Sequence, residues 1–383
     1  MNIRHYRRML GDQVRLRAFH RAIRAAVRPG DVVVEIGAGL GTYSFFAARA
    51  GARRVYAIEA DAEVCRLGQS LAAQNGLAQR VRFLQGYSTD IELPERADVA
   101  IFEDYTGFFF SSRLRGLLRD IRGRLLKPQG RLVPCAVALY VAGAEDGRLY
   151  RDLDLHRARR DHLFGLDFSE TRWVAMNRPA GTVATPRHLL TRPLRCGRIE
   201  LQRDEHFGFA FVGEVRAKRA GHLHGVLGWM DLELAPGIRI SCSPLRPPTS
   251  WGQNFHPLGE PLRVRKGEPL KIGMELIFPS GVSRYLQRWT VSAGAEYREG
   301  NTFAGVPFSE HSLNGESART KGKLGPRSRV LLTVLSELRG ETSYGKVAAA
   351  LVKKHPRLFE SRDDALAAVV RLAPAISNLA GDL

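Results

Sequence analysis

The chain is poor in cysteine. Its four thiols, Cys65, Cys135, Cys196 and Cys242, are spread over 383 residues with no CxxC pair. That spacing argues against a disulfide framework or a cysteine-built zinc cluster. The histidines His206, His222 and His224 show no ligand spacing with nearby acids or cysteines, so no metal is expected. There is no run of about 18 consecutive apolar residues, which leaves no candidate membrane-crossing helix. No apolar segment opens the chain as in a signal peptide, and a soluble cytoplasmic protein is expected. Acids are also scarce. Asp and Glu number 39 against 58 Lys and Arg, a net charge of +19 with pI near 10.3. Such an excess suits an acidic partner (nucleic acid, acidic peptide or membrane surface), or it is a solvated surface rich in arginine, which far outnumbers lysine.

What the sequence does have is a regular first third. "VVVEI" (32–36) is a continuous β-branched run, as a strand buried on both faces should be. Gly37, Gly39 and Gly41 follow at once, then an apolar helical segment from Tyr43 to Ala50. "RRVYAIE" (53–59) reads as a second strand ending on Glu59. Glycines at a strand-to-helix turn permit close approach to a nucleotide, and an acid ending the second strand meets ribose hydroxyls. The loop is GxGxG with Glu35 two residues ahead of it. A carboxylate there would repel a pyrophosphate and attract an amino group, which favours S-adenosylmethionine (SAM) over a dinucleotide. Further strands are predicted in "RVRFLQGYS" (80–88) and "ADVAIFEDY" (97–105). Glu103 and Asp104 follow the apolar part of the latter, at the strand end that faces the ligand crevice in open α/β sheets.

Together, "MLGDQVR" (9–15), "EIGAGLG" (35–41), "AIEA" (57–60), "IELP" (91–94), "FEDYTG" (102–107), "LVPCAVALYVAGAED" (132–146) and "TSWGQ" (249–253) resemble the protein arginine methyltransferases. The similarity spans about residues 5 to 300. It implies an α/β Rossmann-like SAM-binding domain, then a β-barrel with a dimerisation arm, and a peptide or protein substrate. Carried over by position, Arg15 meets the SAM carboxylate and Glu35 its amino group. Gly37 and Gly39 lie against the methionine part, Glu59 on the ribose hydroxyls, and Ser88 and Thr89 at the adenine, with Gly41 and Ala60 as further cofactor-binding candidates. Thr89 departs from the glutamate usual there, and weaker adenine binding is expected.

The family grips its target guanidinium with two glutamates nine residues apart. Glu103 matches the first and lies beside the cofactor, but the second position is Ser112. In the TSW loop, Ser250 replaces the family's histidine while Thr249 and Trp251 remain. The catalytic candidates are therefore Glu103, Asp104 and Trp251. Three readings follow. Asp104 supplies the second carboxylate, or is a solvated loop acid; the acceptor is a less basic histidine, amide, hydroxyl or carboxylate; or the fold survives as a non-catalytic binding protein. At least two of Phe108, Phe109 and Phe110 are expected in the core, and Trp229, Trp251 and Trp289 are most simply barrel residues.

By domains, residues 1–28 are expected to be a helical segment closing over the cofactor and 29–135 the SAM-binding domain. Residues 136–305 form the barrel, with the arm near 150–195, and 306–325 a linker. Residues 326–383 form a small helical domain. It loosely resembles winged-helix peptide-recognition domains of the pyrroloquinoline-synthesis chaperone type, or is a helical dimerisation or capping module. Ser343 is predicted to cap a helix over "YGKVAAALVKKH", and Ser361 with Asp364 to form a capping-box variant. A face of Leu366, Val369, Val370, Ala373 and Ile376 should follow. Basic residues in 321–383 are scattered, so DNA is not expected as a partner.

Overall fold

The computed structural model describes residues 3–108, 113–154, 164–204, 206–278, 285–306, 325–338 and 342–372. Phe109, Phe110, Ser112, Ala373 and Ile376 fall outside them, as does most of the expected linker. The chain forms two compact units, 1–307 and 308–383.

The first unit opens with helices α1 (Ile3–Gly11) and α2 (Gln13–Ala26). Asp12 ends the first and caps the second, its carboxylate accepting from the Arg15 N–H at 2.9 Å. Capping of this kind satisfies an otherwise orphaned N-terminal donor. A five-stranded parallel sheet follows, made of β1 (Val32–Ile36), β2 (Arg54–Glu59), β3 (Val81–Gln85), β4 (Ala97–Phe102) and β5 (Leu126–Val133). Their spatial order is β3-β2-β1-β4-β5. Val32, Val33 and Val34 are all buried, as are Ala100, Ile101 and Phe102, so the central strands are apolar on both faces. Strand order reverses between β1 and β4. In an open α/β sheet the carboxyl ends at that reversal form the ligand crevice. Helix α3 (Thr42–Arg49) starts immediately after the glycine turn.

The second half of this unit is antiparallel. One six-stranded sheet contains β6 (Ala136–Ala144), β7 (Ala180–Thr182), β8 (Leu194–Glu200), β10 (Gly221–Ala235), β11 (Ile238–Ser241) and β12 (Gln253–Val264). A four-stranded sheet contains β9 (Phe209–Arg216), β13 (Pro269–Ile277), β14 (Leu286–Ala293) and β15 (Glu296–Asn301). The two sheets meet where β8 runs beside β9 and β12 beside β15. Trp229 and Trp289 are buried between neighbours, and the Trp289 indole donates to the Pro257 carbonyl at 2.8 Å. In the region of the expected arm, α4 (Gly147–Leu153) and α5 (Glu170–Met176) are tied together by Arg172, which bonds Asp154 and the Gly259 carbonyl.

In the second unit, helices Pro326–Glu337, Tyr344–Lys354 and Arg362–Leu372 share a small core of Val330, Val334, Val347, Leu351, Ala365 and Val369. Ser343 is at the N-cap position, but its side chain makes no capping bond, which corrects the expected role of its hydroxyl. The Ser361 hydroxyl does accept from the Asp364 N–H at 3.1 Å. It donates in turn to the Asp364 carboxylate, so the two side chains bond each other. Val370 is 51% exposed and turns away from the expected buried face.

Candidate active site

The crevice at the ends of β1, β2 and β4 holds two neighbouring cavities. One, about 210 Å³, is lined by Tyr6, Met9, Arg15, Glu35, Gly37 and Tyr43 among others. The other, about 490 Å³, is lined by residues including Glu59, Ala60, Ser88, Thr89, Asp104 and Arg113. Gly37, Glu59 and Glu103 belong to both, which makes them one continuous trough. The sequence-predicted residues Arg15, Glu35, Gly37, Gly39, Glu59, Ala60, Ser88, Thr89, Glu103 and Asp104 all line it. Gly41 lies under α3 as its N-cap, with φ of 83°, and is not among the lining residues.

Each acid is held differently. Glu59 accepts from the Gly39 N–H at 2.8 Å and the Asp61 N–H at 2.9 Å, so it fixes the glycine turn from below. Gly39 has φ of 55°, and a Cβ there would lie 3.1 Å from the Tyr6 ring, which covers the turn from α1. The left-handed φ favours glycine, and a Cβ would also need the Tyr6 ring to give way. Glu35 is buried and receives the Ser44 N–H at 2.7 Å together with the Ser44 hydroxyl. Burial pushes its carboxyl up to about 8, against the opposing pull of the two Ser44 bonds.

Glu103 sits just beyond β4, where the chain leaves the sheet. The following turn is pressed against the TSW loop: a Cβ on Gly107 would come within 2.9 Å of the Trp251 carbonyl. That close approach brings the Trp251 indole N–H to Glu103 Oε1 at 3.0 Å. Arg15 Nη1 donates to both Glu103 oxygens, at 2.5 and 2.8 Å, and the Tyr43 hydroxyl donates to Oε2 at 2.8 Å. The Arg15 guanidinium lies 5.9 Å from each of the Tyr43 and Trp251 ring centroids. Burial would lower the Arg15 pKa; Glu103, Tyr43 and Asp12 together outweigh it and hold it above the usual value.

Asp104 is placed apart from this cluster. It is 37% exposed and pairs with Arg113 at 4.0 Å. The Thr89 hydroxyl donates to Asp90, leaving its oxygen available as an acceptor. Phe108 is fully buried.

Three contributors were not singled out in the sequence. Tyr43 reads there as the start of an apolar helix, and Tyr6 as part of the helical segment expected over residues 1–28. Asp12 stands inside the "MLGDQVR" motif, three residues from Arg15. Its carboxylate accepts from the Ser250 N–H at 2.6 Å and so ties the TSW loop to the start of α2.

Acids at the ends of neighbouring parallel strands, a glycine turn and a covering helix define a Rossmann-like ligand-binding domain joined to an antiparallel sheet domain. Residues 33–130 match the model of a methyltransferase domain, and 136–285 that of the arginine methyltransferase oligomerization subdomain. The chain is 30% identical over 306 residues to a probable histone-arginine methyltransferase 1.4 of Arabidopsis thaliana, covering 76% of this chain and 57% of that protein. It is 28% identical over 272 residues to protein arginine N-methyltransferase 8-B of Danio rerio, covering 68% and 64%. The chain thus spans less than two thirds of the length of these relatives. Its fold resembles the Trypanosoma brucei PRMT1 enzyme-prozyme heterotetrameric complex with AdoHcy (TM-score 0.68, 22% identity, 77% of this chain and 97% of that one). It also resembles the open conformation of Arabidopsis thaliana protein arginine methyltransferase 10 (TM-score 0.68, 21% identity, 79% and 98%).

Proposed function

We propose that the chain is a SAM-dependent N-methyltransferase of the protein arginine methyltransferase type, acting on a side chain of a peptide or protein. The observation that carries this reading is the continuous trough, with Glu35 and Glu59 at one side of the glycine turn and the caged Glu103 at the other. SAM supplies an electrophilic methyl group on a sulfonium. The residues present fit it: Arg15 has a buried Nε without a hydrogen-bond partner beside the cavity, suited to a carboxylate. Glu35 suits an ammonium group, and Glu59 ribose hydroxyls. Glu103 orients the acceptor and counters its charge, and orientation with electrostatics is the main catalytic work in an in-line transfer. Arginine is the favoured acceptor. Ser112 and Ser250, where the family has an acid and a histidine, favour as second reading a less basic acceptor. Incubation with SAM and an arginine-containing peptide, followed by mass spectrometry, tests this: added methyl mass on arginine supports it. The same mass on histidine, amide, hydroxyl or carboxylate supports the second reading, and no transfer to any candidate contradicts both.

Glu35 gives the reading a pH signature. Its carboxyl is neutral below about 8 and would have to ionise beside a cofactor ammonium. Cofactor binding should therefore release a proton near neutrality, and affinity should fall as pH drops below 8, by up to about tenfold per unit. For the fold the sign is reversed: a raised carboxyl pKa contributes stability below its ordinary 4.5, lost as pH rises through about 8. Calorimetry in buffers of different ionisation enthalpy reads the released proton directly. Equal heats in all buffers would show Glu35 already ionised.

The arm carries exposed apolar side chains, Phe164 at 94% and Trp173 at 65%. Covering them in a homodimer is the proposed use of the arm. Among the described residues no helix is long and apolar enough to cross a membrane. A cytoplasmic location is proposed, without nucleic acid as partner.

The C-terminal unit has its own core and is proposed to capture part of the polypeptide substrate, raising the acceptor's local concentration near the methyl donor. Deleting residues 320–383 should raise KM for the full substrate by tenfold or more, an order-of-magnitude expectation. SAM affinity, and turnover of a short acceptor peptide, should stay unchanged. A halved mass in solution after truncation would assign the unit to assembly instead.

A further inference from the structure

We propose that Arg15 has two alternative anionic partners, Glu103 and the cofactor carboxylate, and that its transfer from the first to the second opens Glu103 to a cationic acceptor. The inference rests on the SAM-dependent reading given above and concerns how the two halves of the site communicate.

The structure places four hydrogen bonds on the Glu103 carboxylate. Oε1 accepts from Arg15 Nη1 at 2.5 Å and Trp251 Nε1 at 3.0 Å. Oε2 accepts from the same Arg15 nitrogen at 2.8 Å and the Tyr43 hydroxyl at 2.8 Å. An ionised carboxylate offers about four acceptor positions, so the group is saturated by its own chain. An acceptor guanidinium can bind only if a donor leaves.

The donors are unequal. Tyr43 is pinned, its ring stacked on Phe19 with centroids 4.3 Å apart and planes 6° apart. Trp251 is held by the turn packed on its carbonyl and by Tyr105, whose ring centroid lies 5.4 Å away. Arg15 is the exchangeable one. It is 2% exposed, yet its Nε has no hydrogen-bond partner and it borders the cavity. Its Nη2 bonds the Met9 carbonyl at 2.8 Å, so the guanidinium has an anchor on α1 that does not depend on Glu103. The Nε lies 3.9 Å from the Asp12 carboxylate, too far for a hydrogen bond. A buried guanidinium nitrogen without a hydrogen bond is costly, and an anion arriving in the cavity would offer Arg15 a closer partner there.

Once Arg15 turns to that anion, each Glu103 oxygen keeps one donor, Trp251 on Oε1 and Tyr43 on Oε2. One acceptor position on each oxygen is then open. Two parallel positions in one plane fit a guanidinium fork, and Arg15 Nη1 marks the place where its N–H groups would lie. Tyr43 and Trp251 act as positioning residues: they hold the carboxylate plane whichever cation is seated. Cofactor binding should therefore precede acceptor binding.

The test needs no acceptor. Two probes are titrated calorimetrically, S-adenosylhomocysteine, which carries the carboxylate, and 5′-methylthioadenosine, which lacks the amino-acid part. In Glu103→Gln, the hold on Arg15 is weakened and S-adenosylhomocysteine should bind about fivefold more tightly. In Tyr43→Phe, every charge is kept and the ring stack is preserved, but Glu103 loses a donor it needs once Arg15 departs. S-adenosylhomocysteine should then bind about threefold more weakly. Methylthioadenosine should bind all three proteins within about twofold. The opposite signs separate exchange from simple charge repulsion, which predicts no effect for Tyr43→Phe. Weaker S-adenosylhomocysteine binding in Glu103→Gln, or changes shared equally by both probes, would overturn the proposal. Failure of either probe to bind the wild-type chain would instead count against the SAM reading itself.

Discussion

Glu103→Gln should slow methyl transfer by about 10²–10³-fold, the usual range for removing one preorganised electrostatic contact from a transition state. Glutamine keeps the shape and one acceptor oxygen, so Arg15, Tyr43 and Trp251 retain partners of a kind, and the chain should fold. What is lost is the charge facing a cationic acceptor and the second acceptor oxygen that fixes its plane. The change therefore falls on kcat and kcat/KM together, while cofactor affinity rises by the same roughly fivefold factor expected for S-adenosylhomocysteine. Single-turnover assays on an accepted peptide read the effect. Turnover at the wild-type rate would remove Glu103 from the acceptor site. Asp104→Asn is the control: exposed and paired with Arg113, Asp104 should be nearly silent if it stays where the structure places it. A loss as large as that of Glu103→Gln would make Asp104 the replacement for the second family acid.

The second large effect is expected at the cofactor. Glu59→Ala should weaken SAM binding by about 1.5–3 kcal/mol through loss of a charged acceptor. The upper end is expected because the same carboxylate holds the Gly39 and Asp61 N–H groups, so its removal also loosens the glycine turn. Glu59→Gln keeps one acceptor and should lose less. Calorimetric titration with S-adenosylhomocysteine checks both, and an unchanged Kd in Glu59→Ala would mean that the ribose hydroxyls bind elsewhere.

Much of this site was legible in the sequence because its signals are local. A β-branched run, three glycines at alternate positions and an acid at the end of the next strand occupy fewer than thirty residues from Val32 to Glu59. Strand β1 and strand β2 pair in register from Val32 with Arg54 to Ile36 with Ile58, which brings those signals to one edge. Tyr43, the one donor to Glu103 not named from the sequence, and the tie between Asp12 and Ser250 were not legible for the opposite reason. Tyr43 lies 60 positions from Glu103, and its apolar neighbours make it read as a core residue. Asp12 and Ser250 are 238 positions apart, and no short-range pattern announces a side chain reaching for a distant backbone N–H. The divergence at Ser250 is clearer in the structure: the loop keeps its place through its backbone, so a histidine side chain is not needed to anchor it. The Ser343 cap shows the limit of composition from another side, since the right residue at the right position makes no capping bond.

The most direct measurement is a titration of SAM into the folded wild-type chain, followed by calorimetry at pH 7 in two buffers of different ionisation enthalpy. Binding of one equivalent per chain, with proton release from Glu35 seen as a buffer-dependent heat, is the predicted result. A natively folded chain that takes up neither SAM nor S-adenosylhomocysteine would contradict it.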